Sequence, residues 1–149
     1  MGASIVMHHL FPRQSSQELH PGLQPQLVNE PTHALVAGDL ARYQRVLDGL
    51  RGEGEAPTYV LFPVAGALLA LRGAAEGKPL ERLFGELRLF NKPLQRAVQS
   101  AARRTTRARL DAAIAQAALA DRVAKGVAKG EVWDQLTALG LKLAGGSKA

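Results

Sequence analysis

Between Arg88 and Arg109 the chain carries seven cations and no acid: Arg88, Lys92, Arg96, Arg103, Arg104, Arg107 and Arg109. Side chains of this type at this density can neutralise phosphates, which would make nucleic acid a partner bound in a salt-dependent way. The same arginine forks can instead dock on carboxylates and helix-end carbonyls of a partner protein. A plain solvated face is the third reading. Single-strand recognition also wants aromatic rings on which bases stack, and Phe90 is the one aromatic inside the run, which weakens that option.

Other chemistry is harder to place. His8, His9 and His20 are of a type that binds metals, but they sit in a proline-punctuated stretch with no acidic partner at ligand spacing, so no metal site is expected. The absence of cysteine removes disulfides, thiolate metal sites and thiol nucleophiles. The glycines, Gly73 and Gly77 among them, lack the spacing of a phosphate-cradling loop. From Ala34 onward no histidine follows, His33 standing just outside, and no serine neighbours a candidate base. Glu53 and Glu55 flank a turn and read as solvated. Acid–base catalysis needs two groups converging in a cleft, and no such pair is found. The expectation is a non-enzyme without cofactor or metal.

Trp133, the single tryptophan, has two readings. It anchors the last helix in the core, or it faces a partner at a subunit interface, where tryptophan is enriched. The candidate partner-binding residues are therefore Arg88, Phe90, Lys92, Arg103, Arg104 and Trp133.

These residues need elements to position them. Ala and Leu dominate the second half and aromatics are few, a balance that favours helix over sheet. Val36, Leu40, Tyr43, Leu47 and Leu50 recur in steps of four and three, one apolar stripe of an amphipathic helix that Gly52 and Gly54 end. Pro57 suits the first turn of a second helix, running to about Arg72, apolar on most sides and expected to be central, with a kink at Pro63. Pro79 opens a short helix carrying Leu80, Leu83, Phe84 and Leu87, and Pro93 opens the next. Thr105 is the expected N-cap of a long helix with Leu110, Ile114 and Ala117 or Ala118 on its inner stripe. Gly126 and Gly130 bracket a break, and Trp133, Leu136, Leu139, Gly140 and Leu143 form the inner face of the last helix. The reading is an all-α bundle of five to six helices over residues 33–145, with 146–149 a tail. Residues 1–32, marked by Pro12, Pro21, Pro25 and Pro31, read as a disordered segment or a truncation remnant.

The 149-residue chain has room for one domain with a real core. Its net charge of +6 favours acidic partners. No apolar run reaches the roughly 20 residues of a membrane span, so a cytoplasmic protein with no membrane contact is expected.

Read in order, several segments resemble a known family. Ala41-Arg42 through Val46-Leu47-Asp48-Gly49-Leu50-Arg51, then Glu53-Gly54-Glu55-Ala56-Pro57, Pro79-Leu80 with Leu83-Phe84, and Arg88-Leu89-Phe90-Asn91-Lys92 come first. Asp121, Lys125-Gly126 and Val132-Trp133-Asp134-Gln135-Leu136 close the pattern. Together, over roughly residues 34–144, they resemble the C-terminal domain of the delta subunit of the bacterial DNA polymerase III clamp loader. The resemblance implies a non-catalytic helical collar domain that packs with the other clamp-loader subunits while the sliding clamp is set on primed DNA, with DNA reached through the loader complex. Two departures stand out. The family's N-terminal modules are not seen, so contact with the sliding clamp is not carried over. Ala65-Gly66-Ala67-Leu68-Leu69 replaces a stretch that usually bears a Glu and an Arg, leaving that pair's contact in doubt.

Overall fold

The structure, a computed structural model, describes residues 25–145, and side chains from Asn29 onward. Among the described residues there are seven helices and no strand: α1 Pro25–Ala37, α2 Leu40–Gly52, α3 Thr58–Ala75, α4 Leu80–Glu86, α5 Lys92–Ala102, α6 Arg107–Ala124 and α7 Val132–Ala144. The fold is all-α. His8, His9 and His20 and the tail from 146 lie outside the described residues.

The start of the helical body differs from the expected boundary at 33. Helix α1 begins at Pro25 and runs through Pro31, which is buried. The stripe from Val36 to Leu50, expected as one helix, is two. Gly38 adopts φ 86°, a left-handed backbone that closes α1, and the Asp39 carboxylate then accepts the Arg42 backbone N–H at 3.1 Å to cap α2. The apolar spacing continues across the break, which hides it from a periodicity argument.

Helix α3 is central. It packs against α1, α4, α5 and α6, while α1–α2, α2–α7, α6–α7 and α1–α5 pair around it. Its Val60, Leu61, Val64, Ala65, Ala67, Leu68, Ala70 and Leu71 are buried. The Ala65–Leu69 stretch is thus mostly core, and an ion pair there would need desolvation. The helix continues through Pro63 to Ala75. At 18 residues and mean hydropathy 1.5 it is, by length and composition, apolar enough to cross a membrane, contrary to the sequence reading. Half of it is buried inside the helical body.

The remaining boundaries follow local chemistry. Thr106, not Thr105, caps α6: its hydroxyl accepts the Arg109 N–H at 3.2 Å. Thr105 is already committed, because its N–H donates to Ala101 O at 2.9 Å and completes the end of α5. Glu131 caps α7 by accepting the Asp134 N–H, and Gly145 ends it at φ 80°.

The α2–α7 seam has a specific geometry. Tyr43 is buried and its hydroxyl donates to Leu136 O at 2.7 Å. Gly140 lies against the ring, where no Cβ fits: one built there would meet Tyr43 Cε2 at 2.8 Å. At the seam's polar edge Thr137 Oγ1 donates to Gln44 Oε1 at 2.9 Å, and Arg51 lies 3.7 Å from Glu131 and 3.8 Å from Asp134. Trp133, Leu136, Leu139, Gly140 and Leu143, the five residues expected on the inner face of the last helix, are all buried. Arg72 ties α3 to α6 by donating to Asp111 at 2.9 Å, and its hydrogen bond to Glu76 holds that carboxyl below the usual carboxylate range.

Candidate functional site

The candidate residues divide among three places. Trp133 is one of the core residues, 7% exposed, so within this chain it anchors α7. Arg88, Phe90 and Lys92 surround the turn from α4 into α5. Arg103 and Arg104 follow the other end of α5. Lys92 and Arg103 are separated by about 16 Å along the axis at 1.5 Å rise per residue.

The α4–α5 turn is rigidly tied. Leu89 N–H donates to Phe84 O at 2.9 Å and Arg88 N–H to Gly85 O at 3.3 Å, the double closure of a helix C-terminus that puts one residue in left-handed backbone. That residue is Arg88, with φ 59°, and it is the one non-glycine with positive φ among the described residues. The geometry turns Leu89 into the core. Gln95 Nε2 holds Leu89 O at 2.7 Å, and the Asn91 side chain caps α5 by accepting the Leu94 N–H at 2.9 Å. Phe90 is what the turn displays: 66% exposed, between Arg88 and Lys92.

Helix α5 is sharply two-faced. Leu94, Val98 and Ala101 are buried, while Lys92, Arg96 and Arg103 are exposed. Arg88, Lys92, Arg96, Arg103, Arg104 and Arg109 have no acidic partner among the described residues, whereas Arg107 pairs with Asp111 at 3.4 Å. Arg104 is engaged differently. Its guanidinium donates to Val36 O at 2.7 Å, satisfying a carbonyl at the C-terminal end of α1 where a cation is favoured.

Beside Arg104 a groove of about 350 Å³ lies between α1 and α5. His33 and Ala37 line it from α1, and Pro93, Arg96, Ala97, Ser100 and Arg104 from α5 and its end. His33 was visible in the sequence only as a residue at the edge of the helical region. Its meeting with Arg96 and Arg104 depends on the α1–α5 packing, and no local signal announces it. No group of three or more His, Cys, Asp or Glu able to hold a metal occurs among the described residues.

The chain matches no protein-family model, no curated protein and no solved structure.

Proposed function

We propose that this chain is a non-catalytic assembly domain, a collar-like helical bundle related to that of a clamp-loader delta subunit, which joins other clamp-loader subunits in support of DNA replication. The single observation behind this reading is the ordered set of segments from Ala41 to Leu136 that resembles that family. The all-helical fold supports it. So does the way the first and last segments meet: Arg51 lies near Asp134, and Tyr43 bonds Leu136. Residues that define two ends of a sequence pattern form one seam. A family fold resting on that seam would require both.

The test is reconstitution. Purified chain is mixed with the other loader subunits of its own organism and run through analytical size exclusion. A stoichiometric complex is expected. A folded chain that elutes apart from them overturns the reading.

A second reading, a basic helical module that binds nucleic acid, is favoured by the exposed face of α5, where Lys92, Arg96 and Arg103 lie in a 22-residue span without an acid. Phosphate-driven binding weakens steeply with salt, while contacts resting on buried apolar area weaken less. Fluorescence anisotropy at increasing salt separates the two. Arg103→Glu is the cleaner probe, because Arg104→Glu would also remove the bond to Val36 O.

A further inference from the structure

The groove between α1 and α5 has the make-up of an oxyanion site. Residues 96, 100 and 104 recur in steps of four, so Arg96, Ser100 and Arg104 line up on the same wall. Its volume of about 350 Å³ falls within the range of small-ligand sites, roughly 300–1,000 Å³. No carboxylate lines it. Glu30, one turn before His33 on α1, is bonded to Arg42 at 3.2 Å.

The donors are prepared for a ligand. Arg104 is already fixed by its bond to Val36 O, and a guanidinium has five N–H groups, so most of its capacity remains. Arg96 is exposed and without an acidic partner among the described residues. Across the groove stands His33, whose Nδ1 is buried without a hydrogen-bond partner and so is shut off from the open groove.

We infer that this groove binds a phosphoryl group, held by charge-assisted bonds from Arg96 and Arg104 and by the Ser100 hydroxyl. A tetrahedral phosphate offers three oxygens from one centre, which suits three donors better than the two oxygens of a carboxylate. The site is formed within one chain, so it stands whether or not the protein joins a clamp loader. The phosphoryl group can come from a terminal phosphate monoester, with three unesterified oxygens, or from a phosphodiester, whose two unesterified oxygens leave the third donor to an ester oxygen.

The experiment is an NMR titration of the full chain with inorganic phosphate at constant ionic strength, read at the His33 ring and the Arg96 side chain. Saturable shifts at both are expected, with affinity weakened about tenfold or more in Arg96→Gln, the worth of one charge-assisted bond. Arg82→Gln, which removes an exposed cation paired with Glu86 on α4, should leave the titration unchanged. A short oligonucleotide with a 5′-phosphate is then compared with its 5′-hydroxyl form. Tighter binding of the first assigns the monoester, and equal binding assigns the phosphodiester. Shifts that grow linearly without saturating, or an identical titration in Arg96→Gln, overturn the site.

Discussion

Two glycines within helices allow one substitution to be tested with opposite expected signs. Gly49 lies in α2 and Gly140 in α7. Replacing a helical glycine by alanine relieves a conformational cost of about 0.8–1 kcal/mol. At Gly49 an added Cβ meets nothing within 4 Å, so that gain stands alone. At Gly140 the same Cβ would lie 2.8 Å from Tyr43 Cε2, 3.0 Å from Cδ2 and 3.4 Å from Leu40 Cδ2. Carbon atoms prefer about 3.5–4 Å, so several tenths of an ångström must be found. Tyr43 cannot swing aside: it is 1% exposed and tethered by its hydroxyl to Leu136 O. Relief must come from separating α2 and α7 or from straining that hydrogen bond. Overpacking of this kind costs about 1–3 kcal/mol, and a lost hydrogen bond adds about 1 kcal/mol.

Gly49→Ala should therefore stabilise by about 0.5–1 kcal/mol, and Gly140→Ala should destabilise by about 1–3 kcal/mol once the propensity gain is subtracted. Urea unfolding followed by far-UV circular dichroism measures both, and equal m-values would show that the unfolded state is unaffected. The clash predicts a coupling as well. In a Tyr43→Ala background, harmful in itself, most of the penalty of Gly140→Ala should vanish. Stabilisation by Gly140→Ala to the same degree as Gly49→Ala would refute the seam geometry, and an additive cycle would place the cost elsewhere.

Two further expectations use the same unfolding measurement. Trp133→Ala should cost about 3–5 kcal/mol through lost burial and a residual cavity; an unchanged midpoint would rule out the core reading of this residue. Tyr43→Phe should cost about 1 kcal/mol through the lost bond to Leu136 O, and it should also change the alkaline limb. Burial pushes the Tyr43 hydroxyl above the ordinary tyrosine range, so the native state keeps a proton that the unfolded state releases. Its contribution is complete below the ordinary value near about 10 and declines as pH rises beyond it. Tyr43→Phe should flatten that decline, and parallel limbs in the two proteins would contradict it.

Much of the fold was legible because burial follows the apolar period. Tyr43, Leu47 and Leu50 on α2, and Trp133 to Leu143 on α7, are buried where their spacing places them. What escaped has local causes. Pro25 and Pro31 read as breakers, yet α1 starts at the first and contains the second. The break at Gly38-Asp39 keeps the apolar register and so leaves no trace in it. Thr105 and Thr106 are chemically equal caps, and only the bond from Thr105 N–H to Ala101 O separates them. The basic run was plain as charge, but its sorting was not. Arg104 serves a carbonyl 68 positions away in α1, and Arg107 is offset by Asp111 one turn downstream.

Burial also divides the residues that carry the family resemblance. Leu47, Leu50, Leu83, Phe84, Trp133 and Leu136 are interior, so they specify how the helices pack and can say little directly about a partner. Arg88, Phe90 and Lys92 are exterior. A left-handed non-glycine backbone costs roughly 1–2 kcal/mol, and glycine would form the same helix end at less cost. The Arg88 side chain makes no ion pair among the described residues, and the exposed Phe90 ring gains little from burial. Strain and an exposed aromatic coincide at one ordered turn. Among the resembling segments Arg88–Lys92 is thus one exposed surface, with Asp48, Arg51, Glu53, Lys125 and Asp134 exposed as well, whereas the α1–α5 groove, built from His33, Arg96, Ser100 and Arg104, lies outside those segments and must be tested on its own terms.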